Sequence, residues 1–125
     1  MEFKVFVGNE IPLSLRILTR RQGLMRYWLK EREYMTAVVA YENGIHVGWC
    51  GYLILEGNIV EVGTFVSREY RKCKLGSKLL DKTMRVLSLE MPCAQVRYGG
   101  SLHPQFHDTY IRTIKKHGLE PIRWF

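Results

Sequence analysis

The segment Val62–Leu80, VGTFVSREYRKCKLGSKLL, constrains the fold more than any other part of this chain. An apolar strand runs into a basic loop, and the loop opens a helix at Leu75. Strand signals stand on both sides of that helix, at Ile59–Val66 and Ala94–Tyr98. Two strands joined by such a helix pair in parallel through a right-handed crossover. The basic loop then sits at the carboxyl end of the first strand, where open α/β sheets bind ligands. The charges are out of place for a helix start. The positive end of the macrodipole favours Asp and Glu, yet here stand Arg71, Lys72, Lys74 and Lys78. Each exposed cation costs about 0.3–1 kcal/mol there, and an anion on the free N–H groups reverses the sign. Charge alone leaves two readings open, a phosphate site and a solvated basic turn.

The 125 residues predict one domain over 1–125, long enough to bury a core. No apolar run approaches the about 20 residues of a membrane span, so no membrane partner is expected. The N-terminal MEFKVFVGNE reads as a strand and not as a signal peptide. Cys50, Cys73 and Cys93 are odd in number and widely spaced. They predict reduced thiols, a cytoplasmic setting and no zinc site. The net charge of +7 suits a polyanionic partner, whether nucleic acid, a phosphorylated cofactor or an acidic protein surface.

Phe3–Val7 alternates as a first strand, and Pro12–Glu33 reads as helical. Its apolar stripe is Leu13, Ile17, Leu24, Tyr27 and Trp28; its other face is basic, and Gly23 divides it. Met35–Tyr41 and Ile45–Leu55 flank Asn43-Gly44, a type I′ hairpin signal. A second turn at Glu56–Asn58 leads into Ile59–Val66 and completes an antiparallel meander. In Leu75–Glu90, helical spacing places Leu75, Leu79, Leu80, Thr83, Met84 and Leu87 on one buried face. After Ala94–Tyr98, His107–His117 is a helix closed by Gly118, and Leu119–Phe125 a last strand. The expected class is α/β (α+β): a mixed sheet, a meander followed by a parallel βαβ crossover, with helices on both faces.

The loop is neither a Walker A loop nor a dinucleotide fingerprint, because GxxxxGK[ST] and GxGxxG are absent. Thr64–Leu80 instead resembles motif A of the GNAT family of N-acetyltransferases: a strand, a short polar turn, Arg/Gln-x-x-Gly-x-Gly/Ala, then a helix with paired aliphatics. The element order resembles that family over nearly the whole chain. So does the ending Lys115-Lys116-His117-Gly118-Leu119.

The resemblance implies that main-chain N–H groups across Lys72, Cys73, Lys74, Leu75, Gly76 and Ser77 cradle the pyrophosphate of acetyl-CoA, with Arg71 in the motif's first position. It implies that Phe65 and Val66 offer main-chain groups to the pantetheine arm, and that His107 touches that arm. Two positions depart from the pattern: Lys74 replaces the first glycine, and Ile114 the usual tyrosine acid. If position 74 needs positive φ, a lysine costs about 1–2 kcal/mol. Its amine either meets a phosphate or fills the cradle.

Acetyl transfer to an amine needs a base for the nucleophile and a donor for the thiolate. Glu61, the one carboxylate of its strand, is the candidate base, re-aimed by a bulge at Gly63, or else a solvent-facing residue. Tyr110 and Ser101 are the candidate donors, with a core role for Tyr110 the alternative. His103 and His107 stand four apart without a third ligand, so no metal is expected.

The leading function is an acetyl-CoA-dependent N-acetyltransferase acting on a primary amine of a protein or small molecule, by direct attack in a ternary complex. The alternatives are a binding protein on the same fold without chemistry and a basic nucleic-acid module. The absence of aromatic-basic interleaving counts against the last. Leu119–Phe125 offers a surface for a homodimer.

Overall fold

The computed structural model describes residues 1–16, 30–99 and 104–122, with the side chain of Lys72 excepted. Six strands form one sheet in chain order: β1 (Glu2–Val7), β2 (Met35–Glu42), β3 (Ile45–Ile54), β4 (Ile59–Val66), β5 (Gln95–Tyr98) and β6 (Glu120–Pro121). Two helices follow the meander, α1 (Leu75–Glu90) and α2 (His107–Lys116). β1 through β4 pair antiparallel, while β4–β5 and β5–β6 are parallel.

The turns follow from local chemistry. Asn43 and Gly44 both take positive φ, 52° and 79°, as a type I′ turn requires. Gly118 takes φ 77° just past α2, and Leu119 N–H closes on the Ile114 carbonyl at 3.2 Å.

Side-chain alternation splits the core into two layers. On one face Val60, Val62 and Val66 of β4 pack with Val38, Ala40 and Cys50 against Leu75, Leu79, Leu80, Met84 and Leu87 of α1 and against Tyr110 and Ile114 of α2, with Thr83 of α1 buried beside them. α1 seats low because Gly48 lies beneath it: a Cβ there would stand 3.1 Å from the Phe65 carbonyl oxygen and 3.2 Å from Leu79 Cδ1. On the other face Trp49, Leu53, Met35, Ala37 and Val39 are covered by Ile11 and Leu15.

The expected helix Pro12–Glu33 lies largely outside the described residues, including Ile17, Gly23, Leu24, Tyr27 and Trp28. Its described ends are 3-10 turns at Leu13–Leu15 and Arg32–Tyr34. Leu13, assigned to the apolar stripe, is 51% exposed; Leu15 and Ile11 do the burying instead. The last strand is described only at Glu120–Pro121, and Trp124 and Phe125 lie outside the described residues.

Candidate active site

The parallel pairing of β4 with β5 stops early. Its last register pair is Val62 with Tyr98, and its last bond runs from Gly99 N–H to the Val62 carbonyl at 2.7 Å. β4 continues to Val66, still held by β3. Residues 63–66 therefore border an opening in the sheet. Main-chain direction alternates along a strand. Ser67 N–H bonds the Val47 carbonyl at 2.8 Å, so Phe65 and Gly63 also turn toward β3. Thr64 and Val66 turn their N–H and C=O groups into the opening. This corrects the expectation for Phe65, whose main-chain groups β3 takes. The Gly63 bulge is also absent: Gly63 pairs with Gly51 in unbroken register.

Above the opening, Ser67 ends β4, Arg68–Cys73 make a 3-10 turn, and Lys74 leads into α1. Lys74 adopts φ 59°, ψ 22°, the left-handed conformation that sequence reasoning tied to the motif's glycine. No side chain caps α1, and its first turn holds no acid. The leading N–H groups of a helix lack internal partners; here Leu75, Gly76 and Ser77 carry them. Leu75 is buried by its side chain, while Lys74 and Ser77 are exposed. Gly76 is not demanded by protein packing, since a Cβ would meet Val66 Cγ2 at 3.7 Å and Thr64 Cγ2 at 3.9 Å, ordinary contacts. The glycine thus leaves bare backbone facing the opening, and this cradle suits a pyrophosphate.

The neighbouring cations differ in use. Arg71 folds back, donating Nε to the Val66 carbonyl at 3.0 Å, with its guanidinium 5.9 Å from the Phe65 ring centroid. It therefore braces the strand end. Cys73 is exposed and donates its thiol to the Tyr70 carbonyl at 3.0 Å. Among the described residues, Ser67 Oγ is buried without a hydrogen-bond partner at the same strand end.

Glu61 is buried on the face away from α1 and α2, so the solvent-facing alternative is corrected. Arg97, its register partner on β5, donates NH2 and Nε to Glu61 Oε2 at 3.0 and 3.3 Å. Tyr110 is a core residue, donating its hydroxyl to the Val96 carbonyl at 3.3 Å. Burial raises its pKa far above the usual phenol range. Its ring meets Tyr98 edge-on at 5.5 Å. His107 begins α2. Ser101 and His103 lie outside the described residues, and among the described residues no cluster of three or more ligating side chains could hold a metal.

Sequence reasoning missed Tyr98. It ends β5 on the α1–α2 face, across from Val62. Thr64 lies beside its hydroxyl and acts to lower its pKa through both the main chain and the side chain. Burial is the largest influence and raises its pKa, with the buried Cys50 adding to the rise. The Thr64 hydroxyl also contacts Cys50 Sγ at 3.3 Å, and burial pushes that thiol up to about 11. The signal was present in the sequence: Val96 and Tyr98 share a face by period two, and Tyr98 is the polar end of that strand.

The model of the acetyltransferase (GNAT) family matches residues 10–95, well over half of the chain. Solved structures share the fold at low identity. An aminoglycoside 6'-N-acetyltransferase complexed with coenzyme A aligns at TM-score 0.57 and 19% identity, over 71% of this chain and 56% of that one. This chain thus spans little more than half of that enzyme. An aminoglycoside acetyltransferase from an uncultured soil metagenomic sample, in complex with trehalose, aligns at 0.65 and 16%, over 99% and 93%. Escherichia coli ElaA aligns at 0.65 and 16%, over 88% and 83%. No curated protein matches by sequence.

Proposed function

We propose that this chain, which belongs to the acetyltransferase (GNAT) family, is an acetyl-CoA-dependent N-acetyltransferase that acetylates a primary amine by direct attack within a ternary complex. The observation that carries this reading is the uncapped start of α1 facing the opening between β4 and β5. The two features divide the cosubstrate between them. Leu75, Gly76 and Ser77 give N–H groups to the pyrophosphate, and Lys74 adds a charge beside it. The Thr64 carbonyl and the Val66 N–H give strand-edge groups to the pantetheine arm, the Val66 carbonyl being taken by Arg71. Fixing the thioester at the opening supplies orientation.

Glu61 is the proposed base, taking the amine proton directly or through a water. Arg97 fixes its carboxylate on the face opposite α1. The amine therefore approaches from that face, while the pyrophosphate stays at the start of α1. The acceptor is an amine of a protein or of a small molecule such as a polyamine or aminoglycoside.

The test has two parts. Acetyl-CoA at 100 times its dissociation constant stabilises a one-site protein by about 2.7 kcal/mol. Thermal unfolding with and without acetyl-CoA reads this directly, and no shift would remove the cofactor reading. Release of CoA thiol is then followed against a lysine peptide, a free N-terminal peptide, spermidine and kanamycin. Stabilisation without turnover on any amine favours a protein that binds acetyl-CoA and has lost its chemistry.

A further inference from the structure

The tyrosine expected on the last helix is absent, because Ile114 occupies its place and is fully buried. Tyr110, one turn earlier, is committed to the Val96 carbonyl. The transfer still requires a proton for the leaving sulfur. Tyr98 is a phenol placed at the end of the β4–β5 pairing, where the opening begins.

Tyr98 stands where β4 and β5 part, the last residue of β5 in register with β4. Thr64 connects it to the cradle. The Thr64 methyl would lie 3.9 Å from a Cβ at Gly76, and the Thr64 main chain and side chain lie near enough to the Tyr98 hydroxyl to favour its ionised form against the effect of burial. The path from the start of α1 to the apex of the opening thus passes along Thr64 and ends at the Tyr98 hydroxyl. Val62 and Tyr98 share a register position on the α1 side, while Glu61 and Arg97 share the next on the other side. A base on one face and a phenol on the other straddle one opening. The edge-on contact with Tyr110 at 5.5 Å fixes the Tyr98 ring.

We propose that Tyr98 is the general acid of the acetyl transfer, donating its phenolic proton to the sulfur of the departing CoA. This rests on the acetyltransferase reading above. The amine nitrogen forms a bond to the thioester carbon and gives up a proton to Glu61. The carbon–sulfur bond breaks, and its electron pair leaves with sulfur. Tyr98 protonates that sulfur to a thiol, and the phenolate recovers a proton from solvent as Glu61 releases its own. A phenol is protonated at neutral pH, as a donor must be, and burial shifts Tyr98 further in that direction.

The experiment is Tyr98→Phe in the full chain, which keeps the ring against Tyr110. Acetyl-CoA affinity is read by calorimetry and turnover by thiol release with the best acceptor of the panel. The expected result is wild-type affinity to within about threefold, with kcat reduced about 100-fold or more, the scale of a lost general acid. Turnover within threefold of wild type overturns the proposal. So does a loss of kcat that only mirrors weaker acetyl-CoA binding, or a larger loss in Tyr110→Phe than in Tyr98→Phe. Circular dichroism and a thermal midpoint guard against misfolding, and Thr64→Val serves as a second probe. It removes one contact to the phenol and is expected to lower kcat by a smaller factor. Wild-type protein that fails to bind acetyl-CoA defeats the acetyltransferase reading itself, a separate result from a silent Tyr98.

Discussion

Lys74 holds a conformation that lysine disfavours, in the loop where an anion is expected. Its φ of 59° and ψ of 22° lie in the left-handed region, costing a non-glycine residue about 1–2 kcal/mol. Lys74→Gly removes that strain. It also frees the unfolded chain, which costs about 0.4–1 kcal/mol. The net is a stabilisation of about 1 kcal/mol, or a rise of roughly 3–6 °C in Tm for a chain of this size. Affinity should move the other way. An exposed ammonium on a phosphate contributes about 0.5–1.5 kcal/mol after solvent screening, so Lys74→Gly should bind acetyl-CoA about two- to twelvefold more weakly. Lys74→Ala separates the effects, because alanine keeps the strain and loses the charge. It should match Lys74→Gly in affinity and the parent in Tm. Scanning calorimetry without ligand and isothermal titration with acetyl-CoA give both numbers. A lower Tm for Lys74→Gly would refute the strain argument. Tighter binding in either variant would show that the side chain obstructs the cradle.

Other outcomes follow from the same geometry. Glu61→Gln should reduce kcat about 100-fold with acetyl-CoA affinity unchanged, measured by thiol release; equal turnover removes it as the base. Because Arg97 is 41% exposed, the stability lost with that ion pair should stay below about 1 kcal/mol by denaturant titration. Gly76→Ala should leave Tm equal or slightly higher, since its Cβ meets only ordinary contacts, while weakening acetyl-CoA binding by calorimetry. His117, bonded to Asp81 at 2.8 Å, holds the Asp81 carboxyl below its usual pKa, with Lys116 assisting. A depressed carboxyl stabilises the fold above its unfolded pKa, about 4, and that support disappears as pH falls through the lower folded value. Asp81→Asn should flatten stability against pH in that acidic window, and an unchanged profile in acid denaturation would dismiss the pair.

What was legible in the chain was local. β4 and α1 begin and end where period two and period 3.6 place them, and all six side chains assigned to the buried face of α1 are buried. The left-handed turn at Lys74 followed from reading a glycine position against a motif. The misses depend on pairings that no local pattern encodes. Glu61 meets Arg97 and Val62 meets Tyr98 only because β4 and β5 lie in one parallel register, across 36 residues of chain. Arg71 belongs with the cations by sequence, yet its Nε found the Val66 carbonyl five residues back. Phe65 and Val66 are neighbours in sequence, and only the phase of the β3 ladder decides which of them faces the opening.

Gly48 acts as a spacer beside the site, paired with Val66 in the ladder. It helps set how far α1 stands off the sheet, since any Cβ would press on the Phe65 carbonyl oxygen and on Leu79 and Leu75 of the helix. The cradle belongs to the helix and the strand edge to the sheet, and the close approach at Gly48 is one of the contacts that set the distance between them. A methyl group at position 48 would raise the helix by a few tenths of an ångström against β4, and the two ends of a single ligand would no longer be measured by the same ruler. The reach of the cosubstrate that this protein accepts is thereby written beneath the helix, on a strand that offers the ligand no group of its own.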